Sequence, residues 1–156
     1  PLTMDIISKI MDIDCYLQHI NASRSSSMNE DALKRVELKR NVSHKINIPK
    51  RKSDHFSVVI TDRITFIPDE GPFKIEVMLG ANIALLEPMS PTEITKLINI
   101  KKNVLSIINQ CLPHSSAIIA HITDKMGFSP VIFSPRIAME NIELNNESRL
   151  SRRQAK

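Results

Sequence analysis

The sequence predicts an α+β fold: a four-stranded antiparallel sheet with a long, proline-interrupted helix packed on it. Three observations point there. From residue 10 to about 88, apolar residues alternate with polar ones in short runs, the period of half-buried strands. From Ser90 to Met126 they recur at helical spacing instead. Clusters of glycine, proline and polar residues punctuate the runs as turns. The 156 residues suit one domain, and 42% hydrophobic with 24% charged residues is ordinary for a globular chain. We expect a single domain over 1–139 and a polar, basic tail over 140–156.

Ile13, Cys15 and Leu17 alternate in the first strand, which Ser23-Arg24-Ser25-Ser26-Ser27 ends. Val36 and Leu38, then Val42, His44, Ile46 and Ile48, form a second, with a bulge-like register change expected near Arg40-Asn41. After a basic turn from Pro49 to Asp54, Phe56, Val58, Ile60, Ile64 and Phe66 hold one face of a third strand. Asp69-Glu70-Gly71-Pro72 is a strong turn. Phe73, Ile75, Val77 and Leu79, continued by Ile83 and Leu85, make the fourth strand. Short polar turns between neighbours favour an antiparallel meander with one buried face.

In the helical zone Ser90 is the expected N-cap, with Pro91 at the first position and Glu93 three residues after the cap. Ile94, Leu97, Ile98, Leu105, Ile108 and Leu112 form one stripe, widened by Val104 and Ile107. Pro113 lacks an N–H and crowds the preceding turn, so it is expected to interrupt or bend the helix. A second piece resumes through Ile118, Ile119, Ile122 and Met126, and Gly127 stops it as a left-handed residue. Gly127-Phe128-Ser129-Pro130-Val131-Ile132-Phe133-Ser134-Pro135 is extended and proline-spaced, too apolar for a solvated linker.

Several function classes find no support. The three glycines stand far apart, so neither GxGxxG nor GxxxxGK[ST] occurs, and nucleotide-driven chemistry is not expected. GxSxG and HExxH are absent too. Pro113 separates Cys111 from His114, and His121 lies two turns further on. His19, His44 and His55 have no carboxylate at a recognisable spacing. No metal, cofactor or catalytic group is therefore expected. Cys15 and Cys111, in apolar surroundings without a CxxC partner, read as reduced thiols of a cytoplasmic protein. No apolar run approaches the roughly 18 residues of a membrane span. Asp5 and Lys9 interrupt the N-terminal apolar residues, unlike a signal peptide.

The net charge of +4 comes from Arg149, Arg152, Arg153 and Lys156; the rest is balanced. Within it, Lys34, Arg35, Lys39, Arg40, Lys45, Lys50, Arg51 and Lys52 face only Glu37. Such a stretch can lie along a phosphate backbone, or its lysines can keep an edge strand from pairing with its like. One tyrosine and no tryptophan offer bases few stacking platforms, which favours the second reading.

Phe73-Lys74-Ile75-Glu76-Val77 resembles the apolar-x-x-Glu-Val strand of the SecB family of export chaperones. Asn109-Gln110-Cys111-Leu112-Pro113 resembles that family's Asn-x-x-Phe-Pro helix break, and the Gly127 to Pro135 segment its helix-ending glycine and proline-flanked loop. The resemblance covers roughly residues 10 to 140 and is strongest from 73 to 135. It implies a SecB-like domain, dimers joined into tetramers through the long helix, and ATP-independent holding of non-native chains in apolar grooves beside the sheet. Clients would be preproteins for export or one dedicated partner such as an antitoxin.

Client contact is expected at Met126, Phe128, Val131, Phe133 and Met139, since methionine and phenylalanine repack around varied partners; the alternative is ordinary core under a loop. Val104, Ile107 and Ile108 are expected at the oligomer seam, unless they pack within one protomer. Glu76 matches a position where the exporting members dock a translocase motor. Gln18 to Ser23 carries no acid and the tail is basic, departing from those acidic members and favouring a dedicated client. An alternative is a nucleic-acid-binding adaptor using residues 34–52 and the tail; a third is a scaffold for one folded partner.

Overall fold

A computed structural model describes residues 5–25, 30–67 and 71–134. After a short 3-10 turn at Ile7–Lys9, the elements are β1 (Ile10–Arg24), α1 (Glu30–Leu33), β2 (Glu37–Asn47), β3 (Ser53–Ile67), β4 (Phe73–Met89), α2 (Pro91–Ile98) and α3 (Lys101–Lys125). The strands form one antiparallel sheet in the order β1-β4-β3-β2.

The expected meander therefore holds for β2, β3 and β4 only. β1 pairs with β4, and the chain crosses from one sheet edge to the other between Arg24 and Glu37. Burial explains the placement. Phe73, Ile75, Val77, Leu79, Ala81, Ile83 and Leu85 are all nearly inaccessible, so β4 needs a neighbour on each side. The apolar residues of β1 are half-buried or exposed, which suits an edge.

The expected bulge near Arg40-Asn41 is absent. β2 pairs with β3 without interruption from Glu37↔Ile67 to Asn47↔Ser57. Leu38, Arg40, Val42, His44 and Ile46 all stand on one face, and Arg40 breaks the apolar run without breaking the register. Bulges occur instead in β1, between Ile10 and Asp12 and between Leu17 and His19. The second moves the helix-facing set from Ile13, Cys15 and Leu17 to Ile20, Ala22 and Arg24, because one extra residue inverts a two-residue period.

The helical layer breaks at Asn99-Ile100 and not at Pro113. Ser90 closes a full capping box on α2: its hydroxyl accepts from the Glu93 N–H and Glu93 accepts from the Ser90 N–H. Ile100 then turns extended, and buried Asn103 bridges the break, donating to the Leu97 carbonyl at 2.9 Å and accepting from the Ile6 N–H at 3.2 Å. Pro113 lies inside a continuous α3 on its exposed side. Helices curve convex toward solvent, where a missing N–H is tolerated best. Gly127, with φ of +90°, ends the helix as expected.

Val104, Ile107, Ile108, Cys111, Leu112 and Ile119 of α3 share one core with the inward side chains of β3 and β4.

Candidate functional site

The core at one end of the sheet is aromatic. Phe66 of β3 meets Phe73 of β4 edge-on with centroids 5.1 Å apart, and Phe73 meets Phe128 at 5.5 Å. Phe128 follows Gly127 because the helix stop turns the chain back over this end; its N–H donates to the Thr123 carbonyl. The Thr123 hydroxyl then accepts from the Val131 N–H at 2.8 Å.

Two arginines fix the segment from opposite edges. Arg24, at the end of β1, lies over the Phe128 ring at 5.0 Å. Arg40, on β2, lies over the Phe133 ring at 5.3 Å and donates to the Ser134 carbonyl at 2.8 Å. The three inter-strand gaps amount to roughly 14 Å, and the extended chain from Phe128 to Ser134 reaches roughly 20 Å, so it straps the full sheet width.

Arg40 owes its position to Asp62, which the alternation of β3 forces onto the inward face at 0% exposure. The guanidinium binds this carboxylate through Nε at 3.0 Å and Nη2 at 2.6 Å. Ser115 of α3 donates to the same carboxylate, and Nη2 also reaches the Ser115 and Ser116 hydroxyls at 3.2 and 3.0 Å. One buried ion pair thus joins β2, β3, α3 and the strap. A buried charge is tolerated when paired and fully hydrogen-bonded in this way.

The expected client-contact residues divide. Phe128 and Val131 are buried, at 3% and 8% exposure, within the chain's own core. Met126 and Phe133 are half-buried at the strap's margins. Met139 lies outside the described residues. Ile132, not singled out in the sequence, is 82% exposed. Its signal was the alternation of Val131, Ile132 and Phe133 in an extended segment, where successive side chains point to opposite sides.

Val104, Ile107 and Ile108 are 2%, 1% and 1% exposed within a single chain, because they face the sheet. The exposed residues of α3 are instead Lys102, Gln110, Pro113, His114, Ala117, His121, Asp124 and Lys125. From Asn103 to Thr123 the helix carries no Lys, Arg, Asp or Glu. Glu76, on the outer face, accepts from Arg63 at 2.5 and 2.8 Å, so its carboxylate is already engaged.

Of the basic residues at 34–52, all but Arg40 are exposed. His55, read as lacking a carboxylate, contacts its neighbour Asp54 at 2.5 Å on the surface. His44 is buried on the inward face of β2, its Nδ1 meeting no partner among the described residues, and burial lowers its pKa. Cys15 and Cys111 touch across the β1–α3 contact as free thiols. Burial pushes Cys111 up to about 12 and raises Cys15 as well. An open cavity of about 540 Å³ of mixed lining lies elsewhere, between Asp12, Asp14, Ile48, His55, Phe56 and Asn82. Among the described residues no three His, Cys, Asp or Glu side chains gather as metal ligands, and no helix is long and apolar enough to cross a membrane.

No family model and no curated protein matches this sequence. In structure, the chain is similar to the Mycobacterium tuberculosis Rv1957 SecB-like chaperone, solved in complex with a ChAD peptide from the Rv1956 HigA1 antitoxin. The TM-score is 0.63 at 10% identity over 85% of this chain and 91% of that one. A protein of unknown function from Streptococcus agalactiae overlaps at a TM-score of 0.38 and 14% identity, over 79% of this chain and 97% of that one, too low to argue from. A four-stranded antiparallel sheet carrying a long helix and a proline-spaced strap is thus a SecB-like fold.

Proposed function

We propose that this protein is an ATP-independent holding chaperone that binds extended apolar segments of non-native proteins, and that it is not an enzyme. The observation that carries the reading is the strap: an extended apolar segment seated on the aromatic end of the sheet, with Ile132 turned out to solvent. A surface that seats such a segment of its own has the chemistry to seat one from a client, with Ile132, Phe133 and Met126 at its margin. Flexible apolar side chains at such a margin adapt to different sequences. The structural neighbour, captured with an antitoxin peptide, supports this reading.

The working form is a homo-oligomer in the cytoplasm. Met11, Tyr16 and Leu17 leave β1 an exposed apolar edge, which a partner strand covers. The uncharged outer surface of α3 supplies a second seam. One dedicated client fits better than delivery to a translocase motor, since Glu76 is bound by Arg63.

The test is light scattering from a thermally destabilised, unrelated client, without ATP, with and without stoichiometric protein. Suppressed scattering, lost in Ile132→Asp while circular dichroism stays unchanged, is the expected result. If no suppression occurs, the assay is repeated with an antitoxin-derived peptide, and failure there too refutes the holding function.

A further inference from the structure

The outer edge of the sheet on the side away from β1 belongs to β2, which has a paired neighbour only in β3. Its other row of backbone groups has no strand partner among the described residues. Along that edge the two faces differ sharply. Leu38, Val42 and Ile46 point inward and are partly or fully covered, alternating there with Arg40, engaged by Asp62, and buried His44. Lys39 and Lys45 point outward, with Asn41, Ser43 and Asn47 between and beyond them. Exposed cations continue at both ends, at 34–35 and 50–52, and Glu37 is the single acid between.

From this, and on the basis of the holding function proposed above, we infer that β2 takes a client segment as a fifth strand and that the segment alternates apolar with acidic residues. The alternation follows from geometry. A strand added to this edge sends every second side chain to the inward side, beside Leu38 and Ile46, and the rest to the outward side, beside Lys39 and Lys45. Backbone hydrogen bonds supply sequence-independent affinity, and charge complementarity selects the partner. The same lysines repel the β2 edge of a second copy, so an acidic strand is admitted where an identical one is refused. A nucleic acid fits less well, because Phe56 and Phe66 turn inward and the outward rows of β2 and β3 hold no Phe, Tyr or Trp ring, only the imidazole of His55.

Three fluorescent peptides of equal length, alternating leucine with glutamate, serine or lysine, are titrated by anisotropy at low and high salt, with polyuridylate as a fourth probe. The glutamate peptide is expected to bind about tenfold or more tighter than the lysine peptide at low salt, the gap narrowing as salt screens it. Lys39→Glu with Lys45→Glu inverts the order, and Lys39→Gln with Lys45→Gln abolishes it. Amide exchange slows across 37–47 only in the peptide complex. Equal binding of the glutamate and lysine peptides, with aggregation still suppressed, overturns the acidic strand and leaves the holding function standing. Binding by none of the peptides together with no suppression removes both. Tight binding of polyuridylate that displaces the glutamate peptide overturns the inference in favour of nucleic acid.

Discussion

Arg40 and Asp62 are the residues on which the strap's attachment turns. Asp62→Ala would leave a guanidinium that is 7% exposed without its counter-charge, facing only hydroxyls and a carbonyl. Removing one partner of a buried pair costs about 3–5 kcal/mol, whereas replacing both by apolar residues is close to neutral. Urea unfolding is therefore expected to show a loss of that order for Asp62→Ala and a much smaller one for Arg40→Met with Asp62→Leu. Equal losses would show that packing, and not the stranded charge, sets the cost. This pair was the part of the site least legible in the sequence. Asp62 appears there only as a gap in the even-numbered apolar set of β3, and Arg40 as an apparent change of register in β2. A charge at an inward position looks like an error of pattern until its partner is seen across the strands. Phe128 and Val131 pose the opposite difficulty: apolar pattern marks a residue that seeks burial, but not whether its own chain or a client's covers it.

Local chemistry made most of the elements readable. The cap at Ser90, the glycine stop at Gly127 and the inward alternation of β3 and β4 depend on neighbours a few residues away, and all stand where the sequence puts them. The helix break did not, because Asn103 creates it through contacts with Ile6 and Leu97, and one of these lies 97 positions away in the chain. Ser90→Ala removes the hydroxyl half of the capping box. It is expected to cost about 1 kcal/mol, or roughly 2–4 °C in thermal midpoint. Calorimetry checks this, and Ser90→Asp, which also accepts from the Glu93 N–H, should restore most of the loss.

For the whole molecule, strand order was hidden because periodicity tells which face is buried and not which strand is adjacent. Only the near-complete burial of β4 reveals that it is central. The proposed seams, the β1 edge that no strand covers among the described residues and the uncharged stretch of α3 from Asn103 to Thr123, carry a prediction in solution: the native mass should be that of an oligomer. Multi-angle scattering should show Ala117→Glu falling to a smaller species with an unchanged circular dichroism spectrum; a monomer in the parent protein would rule out both seams. The strap also has a consequence in time. Its arginine anchors, Arg24 and Arg40, precede it in the chain by about a hundred residues, and the strands that carry Phe66 and Phe73 are complete by Met89. At ribosomal rates of roughly 5–20 residues per second, the interval between Met89 and Ser134 lasts roughly 2–9 seconds. During it, the nascent sheet lacks Phe128, the strap ring that packs against Phe73. On the holding function proposed here, a protein that shelters the apolar segments of others passes through a moment of the same need during its own synthesis.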